Sequence, residues 1–162
     1  MLFFTDAGNA QQQMRVPFNF QWGESASRVE QSLVGIKAKI VERKVVEGRS
    51  AFVVEGIPQK QLQRALFYFK NDMLNEIELQ FGDASWDTPK YDLFFEEVRR
   101  NVDSKYGMGR LLTRSRNRES DVLQTLIGYQ WLQGSITLRL YLFTAEKSLN
   151  SLRILSLHYK EA

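Results

Sequence analysis

An α+β fold is predicted for this 162-residue chain by three features: two helix signatures, apolar–polar alternation after each helix, and turn chemistry between the alternating runs. Together they imply two tandem units, about 17–85 and 86–162, each a helix followed by an antiparallel meander, with the helices packed on sheet. Residues 1–16 read as a flexible lead-in, because Ala7 to Gln13 is small and polar, and residues 17–162 read as one domain.

The first ordered element is expected just after Pro17, where Phe18, Phe20 and Trp22 alternate with Asn19 and Gln21 as in a half-buried strand until Gly23 breaks it. Ser27 and Glu30 have capping-box spacing, so a helix is expected to start at Ser27. Val29, Leu33 and Ile36 form its apolar stripe, and Gly35 supplies a left-handed C-cap.

Lys37 to Val54 favours two antiparallel strands around a turn at Glu47-Gly48-Arg49-Ser50. Arg64 to Phe69 and Glu76 to Phe81 follow as a second hairpin around Lys70-Asn71-Asp72. In the later strand Ile77, Leu79 and Phe81 mark a buried face, and Glu76, Glu78 and Gln80 a wet one.

The stronger helix signature runs from Pro89 to Tyr106, with Tyr91, Phe94, Phe95, Val98, Val102 and Tyr106 on one stripe and Gly107 beyond its end. Strands return at Val122 to Leu132, Ser135 to Phe143 and Ser151 to Tyr159, with a turn at Gln133-Gly134. A tryptophan precedes each helix, Trp22 and Trp86. The pattern allows two packed sheets, or one long sheet with both helices on the same side.

Composition narrows function mostly by exclusion. Hydrophobic residues at 43% and charged residues at 25% are ordinary globular usage, so the chain is expected to fold unaided. With no cysteine, disulfides, thiolate metal sites and cysteine nucleophiles are ruled out. No window reaches the roughly 18 apolar residues of a membrane helix. The 22 Lys and Arg against 19 Asp and Glu leave a formal charge of +3, which permits an anionic partner without requiring one.

No phosphate-binding loop, dinucleotide fingerprint or nucleophile elbow occurs, so no cofactor and no catalytic residue is assigned. His158, the only histidine, reads as an ordinary strand residue. Glu76 and Glu78, with Asp72 in the preceding turn, are a candidate carboxylate group for Ca²⁺ or acid–base chemistry. The favoured reading is the solvated side of an amphipathic strand, and no metal is assigned. Tyr68, Tyr129, Trp131 and Tyr141 read as core in preference to an exposed patch.

The most distinctive charge feature is a comb of arginines, Arg110, Arg114, Arg116 and Arg118, whose even spacing would set all four on one side of an extended chain. They are the candidate anion- or partner-binding residues, weighed against a solvated edge strand or loop neutralised by Glu119, Asp121 or the second helix.

Phe20-Gln21-Trp22-Gly23-Glu24-Ser25 before a short helix resembles the F-x-W-G-x-S opening of small exported bacterial domains. Phe67 to Asp72, the strand Leu74 to Phe81, Lys105-Tyr106-Gly107 and Tyr129-Gln130-Trp131 extend the likeness. It is similar in kind to the β-lactamase-inhibitor-like and outer-membrane-assembly-lipoprotein folds. That resemblance implies a non-catalytic protein-binding or assembly domain of the bacterial envelope, periplasmic or secreted, although the chain shows no signal peptide or lipobox cysteine. The alternative is a nucleic-acid-binding domain using the strand or loop from Arg110 to Arg118. An unknown protein partner, and a homodimer through an exposed edge strand, are the associations this reading allows.

Overall fold

A computed structural model of the protein describes residues 12–162. Helix α1 (Ala26–Gly35) precedes β1 (Lys39–Val46), β2 (Arg49–Glu55), β3 (Leu62–Lys70) and β4 (Met73–Phe81). Helix α2 (Thr88–Tyr106) precedes β5 (Arg110–Glu119), β6 (Val122–Gln133), β7 (Ile136–Lys147) and β8 (Asn150–Glu161). All eight strands join one antiparallel sheet in the order β1-β2-β3-β4-β8-β7-β6-β5, so the last strands of the two meanders meet at the centre.

The turns explain why these residues form hairpins. Two residues separate β1 from β2 and β3 from β4, and all four take positive φ: Glu47 (51°), Gly48 (78°), Asn71 (52°) and Asp72 (58°). Such primed turns match the right-handed twist of paired strands, and Gly, Asn and Asp tolerate that region best.

Both helices lie on the same face, because Val29 and Leu33 of α1 and Tyr91, Phe95 and Val102 of α2 share one core with Phe67, Ile77, Leu140 and Leu155. Register fixes which side chains reach it: Val54, Ala65, Leu79, Leu157 and Leu140 form one cross-strand row and Phe52, Phe67, Ile77, Tyr159 and Leu138 another. The opposite, open face carries the alternate residues, and no helix covers it among the described residues.

Several sequence expectations are corrected. Phe18 to Trp22 is not a strand: Pro17–Asn19 is a 3-10 turn in which Phe18 and Asn19 take positive φ (61° and 64°). Gly23 and Glu24 then bond to Leu74 of β4, at 2.9 Å each, clamping the segment onto the sheet margin. Ser25, not Ser27, caps α1, its hydroxyl accepting from the Arg28 N–H at 3.3 Å, and Glu30 instead pairs with Arg43 of β1 at 2.8 Å. Ser25 has the same capping chemistry two residues earlier. Gly35 is the last helical residue, while Lys37 takes the left-handed conformation (φ 63°) and the Ala38 N–H closes back on Leu33.

Of the expected lead-in 1–16, residues 1–11 lie outside the described residues, whereas 12–16 are docked. The Gln12 N–H donates to Lys105 at the end of α2, the Met14 N–H donates to the Gln133 side chain at 2.6 Å, and Met14 is buried.

Helix α2 is fixed at both ends. Asp87 caps it by accepting the Lys90 N–H, and beyond its C-terminus the Trp131 indole N–H reaches both Asp103 Oδ1 and the Gly107 carbonyl at 3.0 Å. The indole lies against Gly109, where any Cβ would collide with it. Gly109→Ala should therefore push Trp131 from this position and destabilise the protein by about 1–3 kcal/mol. Urea unfolding followed by tryptophan fluorescence checks this, and an unchanged midpoint would contradict it.

Candidate functional site

The open face acquires its chemistry where β4 meets β8. Register sets Glu78 opposite His158 and Glu76 opposite both Tyr68 and Lys160. Continued across β7 and β6, the His158 row runs through Arg139 and Gln130 to Arg110 on the edge strand β5. A cavity of about 550 Å³ opens beside this row, lined among others by Arg49, Tyr68, Glu76, Arg139, Tyr141 and His158.

The floor of the cavity is a closed polar network. Glu76 accepts a charge-assisted bond from Arg49 Nη1 at 2.8 Å, and its other oxygen lies 3.1 Å from His158 Nδ1. His158 Nε2 lies 2.9 Å from the Ser156 hydroxyl, and the imidazole meets the Tyr141 ring edge-on at 5.5 Å. Glu78 accepts from the Tyr68 hydroxyl at 2.8 Å and from Gln80 Nε2 at 2.6 Å, and lies 3.8 Å from His158 Nδ1. The Arg49 guanidinium also stacks 4.5 Å over the Tyr68 ring and donates to Asn75.

These contacts set the ionisation states. Burial would push the Glu76 carboxyl up, but the bonds from His158 and Arg49, with the positive charge of Arg49, hold it below the ordinary carboxylate range. Tyr68 is raised well above an ordinary phenol, first by burial and then by the negative charge of Glu78 and the bond donated to it. Tyr68 therefore stays a donor, and Glu76 stays an acceptor at neutral pH.

Close approach at Gly128 shapes the wall. A Cβ there would fall 2.6 Å from the Tyr141 ring, so only glycine lets this aromatic lie across β6 beside His158. The Ser156-His158-Glu76 connectivity matches that of a nucleophile, a base and an orienting carboxylate. Its accessibility does not match: Ser156 is 5% exposed, and its strand is paired on both sides, which engages the neighbouring backbone N–H groups in ladders. An acyl-transfer site needs an approachable hydroxyl and free donors for the oxyanion.

The sequence-designated residues are divided by the fold. Glu76 and Glu78 are not on a wet face but stand half-buried to buried in the network, and the lone His158 joins them. Asp72 is elsewhere, accepting the Ala26 N–H at the start of α1. Tyr129 and Trp131 pack with the core beneath the helices, Tyr68 is buried on the open face in a smaller apolar cluster with Ala51, Val53 and Leu66, and Tyr141 is half-buried on that face.

The four arginines do not share one side. A bulge between Leu111 and Thr113 reverses the parity of β5, so Arg110 pairs with Gln130 on the open face while Arg114, Arg116 and Arg118 project on the helix face beside Ile127, Thr125 and Leu123. Among the described residues none of the four has a carboxylate within 4.0 Å, and Asp121 instead lies 3.9 Å from Lys147. Sequence reasoning missed Arg49, Arg139, Ser156 and Tyr141 as members of the site. Their meeting depends on which strands become neighbours, although the paired polar positions Ser156 and His158 in β8 are a local trace of it.

No protein-family model matches the chain, and no curated protein or solved structure matches it either. No described helix is long and apolar enough to cross a membrane.

The network makes stability depend on pH in a fixed direction. Because folding lowers the Glu76 pKa, its contribution is complete above the unfolded-state value and is lost as pH falls through the folded one. Glu76→Gln should cost about 1–3 kcal/mol near pH 7 by leaving Arg49 without its carboxylate, and that gap should narrow towards about pH 3. Chemical denaturation across this range reads it out, and a gap that does not change with pH would refute the assignment.

Proposed function

We propose that this chain is a non-catalytic binding or assembly domain that holds a protein partner on the open face of its sheet. One observation carries the reading: this face combines a preorganised polar cavity with a neighbouring apolar row and has no helix over it among the described residues. The row is Leu126, Phe143 and Ile154, aligned across β6, β7 and β8 and all half-exposed. Leu132 and Leu152 stand more exposed on the same face, at 65% and 53%. Rigid aromatics, satisfied polar groups and apolar surface in one patch are what protein interfaces use. The inaccessible Ser156 gives the hydrolytic alternative less support.

The bacterial-envelope setting belongs to this proposal through the resemblance of the Phe20 to Ser25 segment and the strands after it. An internal duplication is part of it too, supported by the repeated order of one helix and four meander strands and by the meeting of the two terminal strands, β4 and β8. A second reading, nucleic-acid binding, draws on Arg114, Arg116 and Arg118, exposed together on the helix face of an edge strand.

A photo-crosslinking phenylalanine analogue placed at Leu132 or Leu152 should yield discrete protein adducts in cell extract. The same probe at Val34, 69% exposed on α1, should not. Equal labelling from all three positions, or none from any, would count against an open-face partner.

A further inference from the structure

The open-face row Arg110, Gln130, Arg139, His158 and Glu78 spans five adjacent strands, and its charges are graded. Arg110 and Arg139 are exposed and have no carboxylate within 4.0 Å among the described residues; the same holds for Lys160, in the next row. Gln130 between the two arginines is buried and accepts the Arg139 Nε–H at 2.8 Å, which fixes that guanidinium while leaving its terminal nitrogens without a described partner. At the far end both carboxylates are already engaged, Glu76 by Arg49 and His158, and Glu78 by Tyr68 and Gln80. The cations on this row and its neighbour are thus the charged groups whose donors remain free, with Glu47 an acidic residue on the cavity rim, exposed on the β1–β2 turn.

The β5 bulge gives this pattern its cause. Without the extra residue, Arg110 would share the helix face with Arg114, Arg116 and Arg118; with it, one arginine is re-aimed to the open face, in line with Arg139. One strand, β6, lies between them, so they stand two strand spacings apart, about 10 Å. A peptide in the polyproline II conformation returns a side chain to the same face every third residue, about 9 Å further on.

Resting on the open-face reading above, we infer that this row recognises an acidic segment of the protein partner, with side-chain carboxylates seated on Arg110 and Arg139 and the chain running on past Thr137 to Lys160. A polynucleotide fits less well, because a continuous phosphate chain following the row would meet Glu78 and Glu76, whereas a polypeptide need carry its charges only at one end.

Fluorescence anisotropy with a labelled peptide bearing Asp at every third residue, in the full chain at low salt, tests this. The peptide should bind, Arg110→Ala with Arg139→Ala should weaken it about tenfold or more, and the Lys pair R110K/R139K should restore part of the loss. The triple variant R114A/R116A/R118A should bind the peptide as the wild type does. A peptide that fails to bind, or whose binding is lost in the triple variant and kept in the double, overturns the assignment. So does a single-stranded oligonucleotide that outcompetes the peptide at the same two arginines. Crosslinks from Leu132 with no peptide binding would reject the acidic chemistry alone; the loss of both would reject the open face itself.

Discussion

The pairing of β4 with β8 is the constraint on which the rest of the structure depends. Each meander is built from local hairpins, and Glu76 to Phe81 against Leu155 to Lys160 is the contact that turns two four-stranded pieces into one sheet. On the helix face this seam buries Ile77, Leu79, Leu155 and Leu157 in the common core. On the open face it brings two carboxylates of one meander to the only histidine in the chain, which lies in the other. Because the side-chain period of a strand is two, a one-residue slip would invert both faces, exposing Leu157 and burying His158 in its place.

The polar network suits that role. Buried charges are costly unless paired and hydrogen-bonded, and here each is: Arg49 binds Glu76 and stacks on Tyr68, Tyr68 binds Glu78, and His158 lies between the carboxylates and Ser156. A network satisfied only in one register discriminates against others while adding modest net stability. It also uses up the hydrogen-bonding capacity of the cavity floor, so the charged donors still free to meet a partner are those of the rim, Arg110, Arg139 and Lys160.

Much of the fold was legible because it is local. The α2 stripe and its Pro89 and Gly107 boundaries, the Asn71-Asp72 turn, and the burial of Ile77, Leu79 and Phe81 all follow from neighbours in sequence. What was not legible arises from competition or from distance. Phe18 to Trp22 alternates like a strand, yet Pro17 and two residues with positive φ turn it into a clamp on Leu74. The arginine comb looks uniform until one bulge, invisible in a run of plausible strand residues, splits it. Glu76 and His158 are 82 residues apart and gain meaning from strand order alone.

Native-state hydrogen exchange tests most directly whether the seam makes one cooperative sheet and so one continuous binding face. The amides of Ile77 to Phe81 and Leu155 to Lys160 should be the slowest to exchange, with the central strands of both meanders opening only at the same, global free energy. If the β5–β8 amides instead exchanged at a clearly lower free energy than those of β2–β4, the halves would be separable units and the seam would not be the organising contact.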